Sequence, residues 1–365
     1  MRNLQRYQLL PVGRTRRLST TLLMTSCEQA GERDTIYRHD NSWRGKRPVE
    51  ADTRYHPSAD QLALASAMDD TIAELLPLSR LHAANDEAAD IWLHLDQAGI
   101  FGICLSEDQG GSGLGAAEEA LIVIGLGRRL ASPAVLATLG AAHCAATGLS
   151  GKRIAAGYRS GERIIIVQSP GADWLLLREA DGAALHSLES VHAKPLDERL
   201  WLASLGEASS IGEPLARFDE AGILRLRLID AAALAGIAET ALQMGVDYAG
   251  LREQFGRPIG TFQAVKHHCA NMAIAARCAR DQVGFAAVAI DEGREDAILQ
   301  VECALFVAGT AAVENAGKNI QIHGGIGFSD EADPHLLLKR TQVLIAVAGG
   351  LEAANTRIAN TKAGW

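Results

Sequence analysis

The segment "REQFGRPIGTFQAVKHHCANMA", residues 252–273, decides the fold of this chain. Its residues Phe-Gly-Arg-Pro-Ile-Gly interrupt an Ala-rich, helix-forming sequence, and helical periodicity resumes directly after them. A plain helical bundle needs only a short polar turn at such a corner, whereas this one carries Arg252 just before the break and Gln263 just after it. The residues alone leave two interpretations open. Either Arg252 caps a helix C-terminus while the glycines turn the chain, or the corner holds a ligand.

The chain on both sides of this corner predicts long helices. We expect helices at about 231–251, 262–291 and 296–321, and a last one that ends between the 340s and the 360s. Helices of this length, packed antiparallel, form a four-helix bundle. The sequence therefore predicts a C-terminal helical bundle over residues 230–365.

Residues 58–160 predict an N-terminal helical domain. Apolar residues recur at i, i+3, i+4 and i+7 in "SADQLALASAMDDTIAELLPL", residues 58–78, as in an amphipathic helix. A second helix is expected to end near Gly99, and two more follow the Gly-rich loop "DQGGSGLG". Pro133 opens the last of these helices, at a position where proline is favourable.

The hydrophobic period changes between residues 161 and 229. Runs such as "ERIIIVQS", "ADWLLLREA" and "GILRLRLID" are short and alternating or β-branched, and Gly, Pro and Asp separate them. They predict the strands of a small β domain that leans on its helical neighbours. The expected fold is thus mainly α with a small β domain: an N-terminal helical domain, a shortened middle β domain and a C-terminal four-helix bundle.

Composition excludes several classes of function. The 365 residues carry a formal net charge of −9, which argues against a nucleic-acid backbone as the main partner. The sequence lacks the run of about eighteen apolar residues that predicts a membrane span. The six cysteines show neither a C-x-x-C pair nor zinc spacing, so we expect no metal site. Reduced thiols of this kind are typical of a cytoplasmic protein.

The first 57 residues form an irregular leader. Residues 1–19 contain five arginines and no acid, a composition that resembles an organelle transit peptide. Two alternatives remain open: a gene start placed too far upstream, with Met24 as one possible true start, or a disordered tail. We expect no element of the fold before residue 58.

Three local motifs give the chain a family resemblance. They are "WLHLDQAGIFGICLSEDQGGSGLGAAEEALIVIGLGRRL", "REQFGRPIGTFQAVKH" and "QIHGGIGFSDEADPHLLLKR", in this order along residues 92–340. In sequence and separation they resemble the signatures of the acyl-CoA dehydrogenase family, over about residues 90–365. The resemblance implies an FAD cofactor, an acyl-CoA substrate, an electron-transfer flavoprotein as electron acceptor, and a homo- or hetero-oligomer.

The resemblance also assigns cofactor-binding residues. In this family the two C-terminal motifs hold FAD, largely the FAD bound to the neighbouring subunit. The chemistry suits the residues, because an arginine fork and amide groups can bind phosphate or ribose oxygens, and glycines allow close backbone approach. The implied cofactor-binding residues are Arg252, Phe255, Gln263, Gln321, Gly324 and Gly325.

The catalytic base of the family is harder to find here. It is a glutamate that removes a proton from the α carbon of the acyl thioester, and its usual position falls on Gly349. A second position used by some members falls near residues 226–230, which contain no glutamate. Glu352, three residues past the usual position, is the candidate base, with a solvated helix-end carboxylate as the alternative. Asp230 is predicted to cap the first bundle helix.

A second departure lies in the β domain. The family's Thr-Glu-Pro-x-Ala-Gly-Ser-Asp segment, which supports the flavin ring, is absent from the chain. Both departures indicate the degenerate subunit of a heteromeric acyl-CoA dehydrogenase, which lends its FAD-binding loops to a partner in fatty acid or steroid degradation. A self-sufficient dehydrogenase, a non-catalytic scaffold, and a related flavin oxidase or monooxygenase remain as alternatives.

Overall fold

The chain divides into two units, residues 1–53 and 54–365. The computed structural model describes, within the second unit, residues 55–83, 89–144, 149, 151–167, 171–180, 182–189, 191–197 and 204–361. Nearly all of the predicted leader therefore lies outside the described residues.

Four helices form the N-terminal part of the fold: α1 Ala59–Leu75, α2 Ala89–Gln97, α3 Ala116–Arg128 and α4 Pro133–Ala141. Ser58 begins the first with a capping box, in which its side chain and that of Gln61 each accept a backbone N–H. Ser132 caps α4 and Pro133 occupies its first turn, as predicted.

A seven-stranded mixed sheet follows these helices. Its spatial order is β5-β6-β2-β1-β3-β4-β7, and every pairing is antiparallel except that of β1 with β3. The strands are β1 Ile154–Ser160, β2 Arg163–Val167, β3 Trp174–Glu179, β4 Gly182–Ser187, β5 Lys194–Asp197, β6 Leu205–Ala208 and β7 Ala216–Arg217.

The strand prediction for "GILRLRLID" was wrong. These residues form the first turns of α5 Glu220–Leu251, which Asp219 begins by accepting the backbone N–H of Gly222. The alternation of leucine and arginine misled because Arg225 and Arg227 do not face solvent but pair with the buried carboxylates of Glu119 and Glu302. The predicted helix cap at Asp230 was also wrong. Helix α5 begins earlier, at Glu220, and Asp230 lies buried within it.

The C-terminal bundle comprises α5, α6 Gln263–Asp291, α7 Ala297–His323, α8 Pro334–Val347 and α9 Leu351–Asn360. Helix α7 packs against the other four. By length and composition α7 could cross a membrane, but half of its most apolar window is buried, as in the core helix of a bundle. This is weak evidence for a span.

Two glycines bring the N-terminal helices and the bundle into backbone contact. A Cβ added at Gly127 of α3 would lie 2.1 Å from the carbonyl oxygen of Ala233, and one at Gly236 of α5 would lie 2.1 Å from that of Ile124. Only glycine permits so close a crossing. Asp291, at the end of α6, adds a polar link by accepting backbone N–H groups at the start of α3.

Candidate functional site

The corner that opened the sequence analysis is a small β-hairpin. Strand β8 Glu253–Gln254 pairs with β9 Arg257–Pro258 across a two-residue turn, Phe255–Gly256. Both turn residues have left-handed backbone, with φ of 55° and 76°, as a tight hairpin turn requires. This conformation is costly for phenylalanine, and Phe255 is 93% exposed.

Arg252 and Gln263 lie at the two ends of this hairpin. Arg252 ends α5: its N–H donates to the carbonyl of Tyr248, and its own carbonyl accepts the N–H of Ile259 at 2.8 Å. Its guanidinium therefore projects from a backbone fixed on both sides. Gln263 is the exposed first residue of α6, and the preceding Phe262 has no side-chain oxygen to cap the helix. The first N–H groups of α6 are thus available to an anion.

The predicted glycine loop lies at the same end of the bundle. Helix α7 ends at His323, and Gly324, with φ of 67°, turns the chain into a 3-10 segment. The His323 ring stacks on Tyr248 with centroids 4.0 Å apart, which joins the ends of α7 and α5. Gln321, Gly324 and Gly325 are therefore brought to the side of the bundle that carries Arg252.

His323 itself serves as a packing residue. Its Nδ1 lies 2.8 Å from the carbonyl oxygen of Asn319, and one face of its ring is covered by Tyr248. Burial lowers the pKa of His323, although the Asn319 carbonyl opposes the shift. A neutral imidazole fits its role as a stacking partner.

The corner presents groups that suit a dinucleotide. A permanently charged guanidinium, two amides and an uncapped helix start are donors for a pyrophosphate. The backbone at Gly324 and Gly325 is open, since a Cβ at either position would meet no atom within 4 Å. Exposed rings at Phe255 and Phe328 offer apolar surface for a planar group. The residues present therefore fit the phosphate and adenosine part of FAD.

The expected positions of the catalytic base lie outside the corner at Arg252. Gly349 and Gly350 have φ of 89° and 90°, and they separate α8 from α9. Leu351 then packs closely over Gly309 of α7. With Leu351 and the buried Ala354 facing the bundle, Glu352 is exposed on α9.

A small cavity of about 20 Å³ lies where α4, the sheet, α5 and α8 meet. Its walls are mostly apolar, but Arg178 of β3 and Asp230 of α5 form an ion pair within it, with Nη2 to Oδ2 at 2.7 Å. Burial raises the pKa of Asp230 to about 6, although the charges of Arg178 and Arg227 oppose the shift. Sequence reasoning missed Arg178, which reads locally as an exposed strand residue.

Two further buried networks tie the elements together. Glu302 of α7 accepts hydrogen bonds from Arg227 at 2.6 Å and Arg357 at 2.7 Å. Glu119 of α3 accepts them from His143 and Arg225.

Cys104 lies beside the Glu119 network, and the ligand atoms of Cys104, Glu119 and His143 come within 4.8 Å of one another. Arg225, 2.9 Å from the thiol sulfur, already supplies the cation there. Burial and the nearby Glu119 charge raise the pKa of Cys104 well above its usual value. The five cysteines among the described residues are free thiols.

N-terminal helices, a small mixed sheet and a C-terminal helical bundle, with a corner whose groups suit a phosphate, are the arrangement expected of a flavin-dependent dehydrogenase. Residues 58–150 match the model of the acyl-CoA dehydrogenase N-terminal domain, and residues 218–362 match that of the C-terminal domain. Acyl-CoA dehydrogenase IpdE2 of Mycobacterium tuberculosis (strain ATCC 25618 / H37Rv) is 33% identical, over 72% of this chain and 83% of IpdE2. The chain belongs to the acyl-CoA dehydrogenase family, whose members are flavoprotein oxidoreductases acting on CH–CH groups.

Other comparisons agree with this assignment. Acyl-CoA dehydrogenase FadE34 of the same organism is 30% identical over 72% of this chain, which spans only 41% of FadE34. The ChsE4-ChsE5 complex from Mycobacterium tuberculosis has a TM-score of 0.67 and 23% identity, over 84% of this chain and 98% of the other. The glutaryl-coenzyme A dehydrogenase glutaryl-CoA complex has a TM-score of 0.69 and 18% identity, over 84% and 95%. These structures confirm the predicted fold.

Proposed function

We propose that this protein is a subunit of an FAD-dependent acyl-CoA dehydrogenase, which removes hydrogens from the α and β carbons of an acyl-CoA thioester. The bound FAD would supply the hydride acceptor. Arg252, Gln263, Gln321, Gly324 and Gly325 would hold its phosphates and ribose, and Phe255 would pack against its adenosine. An electron-transfer flavoprotein is the proposed electron acceptor.

The exposed corner carries this proposal. Leu251, Phe255 and Phe328 are 82%, 93% and 72% exposed, next to an arginine whose backbone is fixed on both sides. A monomer gains nothing from presenting large apolar side chains to water, so such a surface marks a binding site. A second subunit bringing its own FAD would cover both the rings and the guanidinium.

Two observations favour a heteromer over a homomer. Gly349 provides no carboxylate at the family's usual base position. The small cavity where α4, the sheet, α5 and α8 meet has room for only about one water molecule. A same-family partner with a complete cleft would supply what is missing. One structural neighbour is a variant of the steroid ACAD Tcur3481-Tcur3483, and another is the two-protein ChsE4-ChsE5 complex. We propose an acyl-CoA from fatty acid or steroid degradation as substrate, and the cytoplasm as location.

A visible spectrum of the purified chain tests the proposal. The chain is prepared alone and co-expressed with a same-family subunit that carries the Glu-Gly dipeptide, and each sample is mixed anaerobically with butyryl-CoA, octanoyl-CoA and a steroid-side-chain acyl-CoA. Flavin absorbance that bleaches in the lone chain indicates a homomeric enzyme, and bleaching only after co-expression indicates the heteromer. If none of the acyl-CoAs bleaches the flavin, but flavin reduced with dithionite is rapidly reoxidised by oxygen, the result supports an oxidase or monooxygenase. A chain without flavin in either sample would leave only the scaffold.

A further inference from the structure

The hairpin at the bundle corner places a second arginine on the face that carries Arg252. Gln254 lies directly opposite Arg257, and the N–H of Ile259 donates to the carbonyl of Arg252 at 2.8 Å, so Arg252 lies opposite Ile259. Side chains alternate along a strand, and residues directly opposite each other point to the same face. Arg252 and Arg257 are therefore diagonal neighbours on one face, a relationship in which Cα atoms are typically about 7–8 Å apart and long side chains still meet. Their two guanidiniums can reach the same ligand.

The ring of Phe262 supports the guanidinium of Arg257. The guanidinium carbon lies 4.3 Å from the ring centroid, within the range of a cation–π contact. The Phe255 ring approaches the same phenylalanine edge-on, with centroids 6.1 Å apart. A guanidinium held over a ring keeps its N–H groups free for an acceptor. Because Phe262 directly precedes α6, the charge of Arg257 is held beside the start of that helix.

The corner gathers positive charge with no acid to balance it. Within the described part of the chain, neither Arg252 nor Arg257 forms an ion pair with a carboxylate. Helix α6 has no acidic residue in its first turn and carries the exposed Lys266 there, while Glu253 alternates to the opposite face of the hairpin. Like charges on one face of a strand pair destabilise it, and the positive end of a helix dipole adds to the repulsion. An anion bound between the arginines would relieve this repulsion.

We propose that Arg257 is a second phosphate-binding residue of this corner and that, together with Arg252, it makes the corner selective for a diphosphate over a monophosphate. This inference rests on the proposed function, in which the diphosphate is that of FAD. A planar guanidinium can bind two oxygens of one phosphate, so two guanidiniums on one face match two linked phosphates. A carboxylate of a partner subunit is the competing occupant, and measurements of binding and assembly separate the two.

ADP and AMP carry the same adenosine and differ by one phosphate, so their affinities isolate the second phosphate. Calorimetric titrations use the apoprotein, alone and in complex with a same-family partner. Arg257→Gln should weaken the binding of ADP and FAD at least tenfold and that of AMP less than threefold, whereas Arg257→Lys should retain part of the ADP affinity. Added salt should weaken ADP binding more in wild type than in Arg257→Gln, because salt screens the charge that the variant lacks. The matched control Arg277→Gln, at an exposed arginine of α6, should change none of these values.

A second variant keeps both charges but removes the support. In Phe262→Leu the guanidinium of Arg257 is no longer held over a ring, so the ADP affinity should fall at least threefold while the AMP affinity stays the same. Circular dichroism verifies that each variant is folded.

The outcomes separate this inference from the proposed function. A ratio of ADP to AMP affinity in folded Arg257→Gln within twofold of wild type would overturn the inference. Weaker subunit assembly in that variant, at unchanged ADP affinity, would assign Arg257 to a carboxylate of the partner instead. Wild-type protein that binds ADP but no FAD would contradict the proposed function alone, and wild-type protein that binds neither would contradict both.

Discussion

The rings of Tyr248 and His323 stack with centroids 4.0 Å apart and an angle of 24° between their planes. One ring belongs to the last turn of α5 and the other to the end of α7, so the pair fixes the position of the arginine corner relative to the glycine loop. Two motifs about 70 residues apart in sequence thereby become one surface.

Replacing Tyr248 by leucine should loosen this surface. Loss of the aromatic pair should lower the free energy of unfolding by about 1 kcal/mol, and FAD content should fall because the two loops are no longer held together. Tyr158→Leu, on β1 and outside the corner, is the control. Urea denaturation and flavin absorbance at matched protein concentration measure both effects. Equal loss of flavin in both variants would contradict a specific role for the stack.

Arg252→Ala should weaken FAD binding by at least tenfold, since a charge-assisted hydrogen bond contributes about 1.5–3 kcal/mol. Arg252→Lys should recover only part of it, because an ammonium lacks the planar fork. The matched control is Arg277→Ala, because Arg277 is an exposed arginine on α6 that pairs with Asp281 of the same helix. Fluorescence titration of apoprotein with FAD gives the three affinities. An unchanged affinity in Arg252→Ala would remove this residue from the site.

Gly236→Ala should strongly destabilise the fold. The added methyl would meet the backbone of α3, which cannot rotate away, so we expect a loss of about 3 kcal/mol or more. Gly317→Ala is the control within α7: its Cβ would meet nothing within 4 Å, and alanine should stabilise that helix by about 0.5–1 kcal/mol. Chemical denaturation of both variants should show shifts of opposite sign. Equal shifts would mean that the glycine crossing is not tight.

His323 should make stability depend on pH. Burial lowers the pKa of His323 in the folded state, so the unfolded chain binds more protons as the pH falls through the ordinary histidine value of about 6.5. The contribution of His323 to the free energy of unfolding is therefore fully present above that value and is lost as the pH drops below it. Replacing His323 by phenylalanine should flatten the decline of the unfolding free energy between pH 7 and 5.5. A variant with the same slope as wild type would assign the decline to other groups.

The sequence predicted what is local and periodic. The four N-terminal helices, the long bundle helices and the corner between α5 and α6 followed from spacing, capping residues and glycines. In "GILRLRLID" the same reasoning failed, because a strand and a helix with buried ion pairs share that pattern. Arg225 contacts Glu119, which lies 106 residues away in the sequence. A local hydrophobic pattern cannot predict so distant a partner.

The candidate site was predicted only in part. Arg252, Gln263 and the glycine loop stood out by residue type, but nothing in the sequence indicated that a stack of Tyr248 on His323 joins them. The pair of Arg178 and Asp230 was also hidden, since its members lie 52 residues apart in different elements. Asp230 has the residue type of a helix cap, but Asp219 caps α5 in the structure. Whether the named residues bind FAD remains a prediction.

The exposed Phe255 has a consequence for the life of the newly made chain. An exposed phenylalanine ring is an apolar surface that promotes aggregation until a ligand or a subunit covers it. A ligand or subunit that binds only the folded form adds to its stability, by about 2.7 kcal/mol at a concentration 100 times its dissociation constant. Chains that meet flavin and partner early are therefore protected, whereas those made in excess stay open to aggregation and proteolysis. The supply of cofactor and partner would thus set how much of this protein a cell keeps.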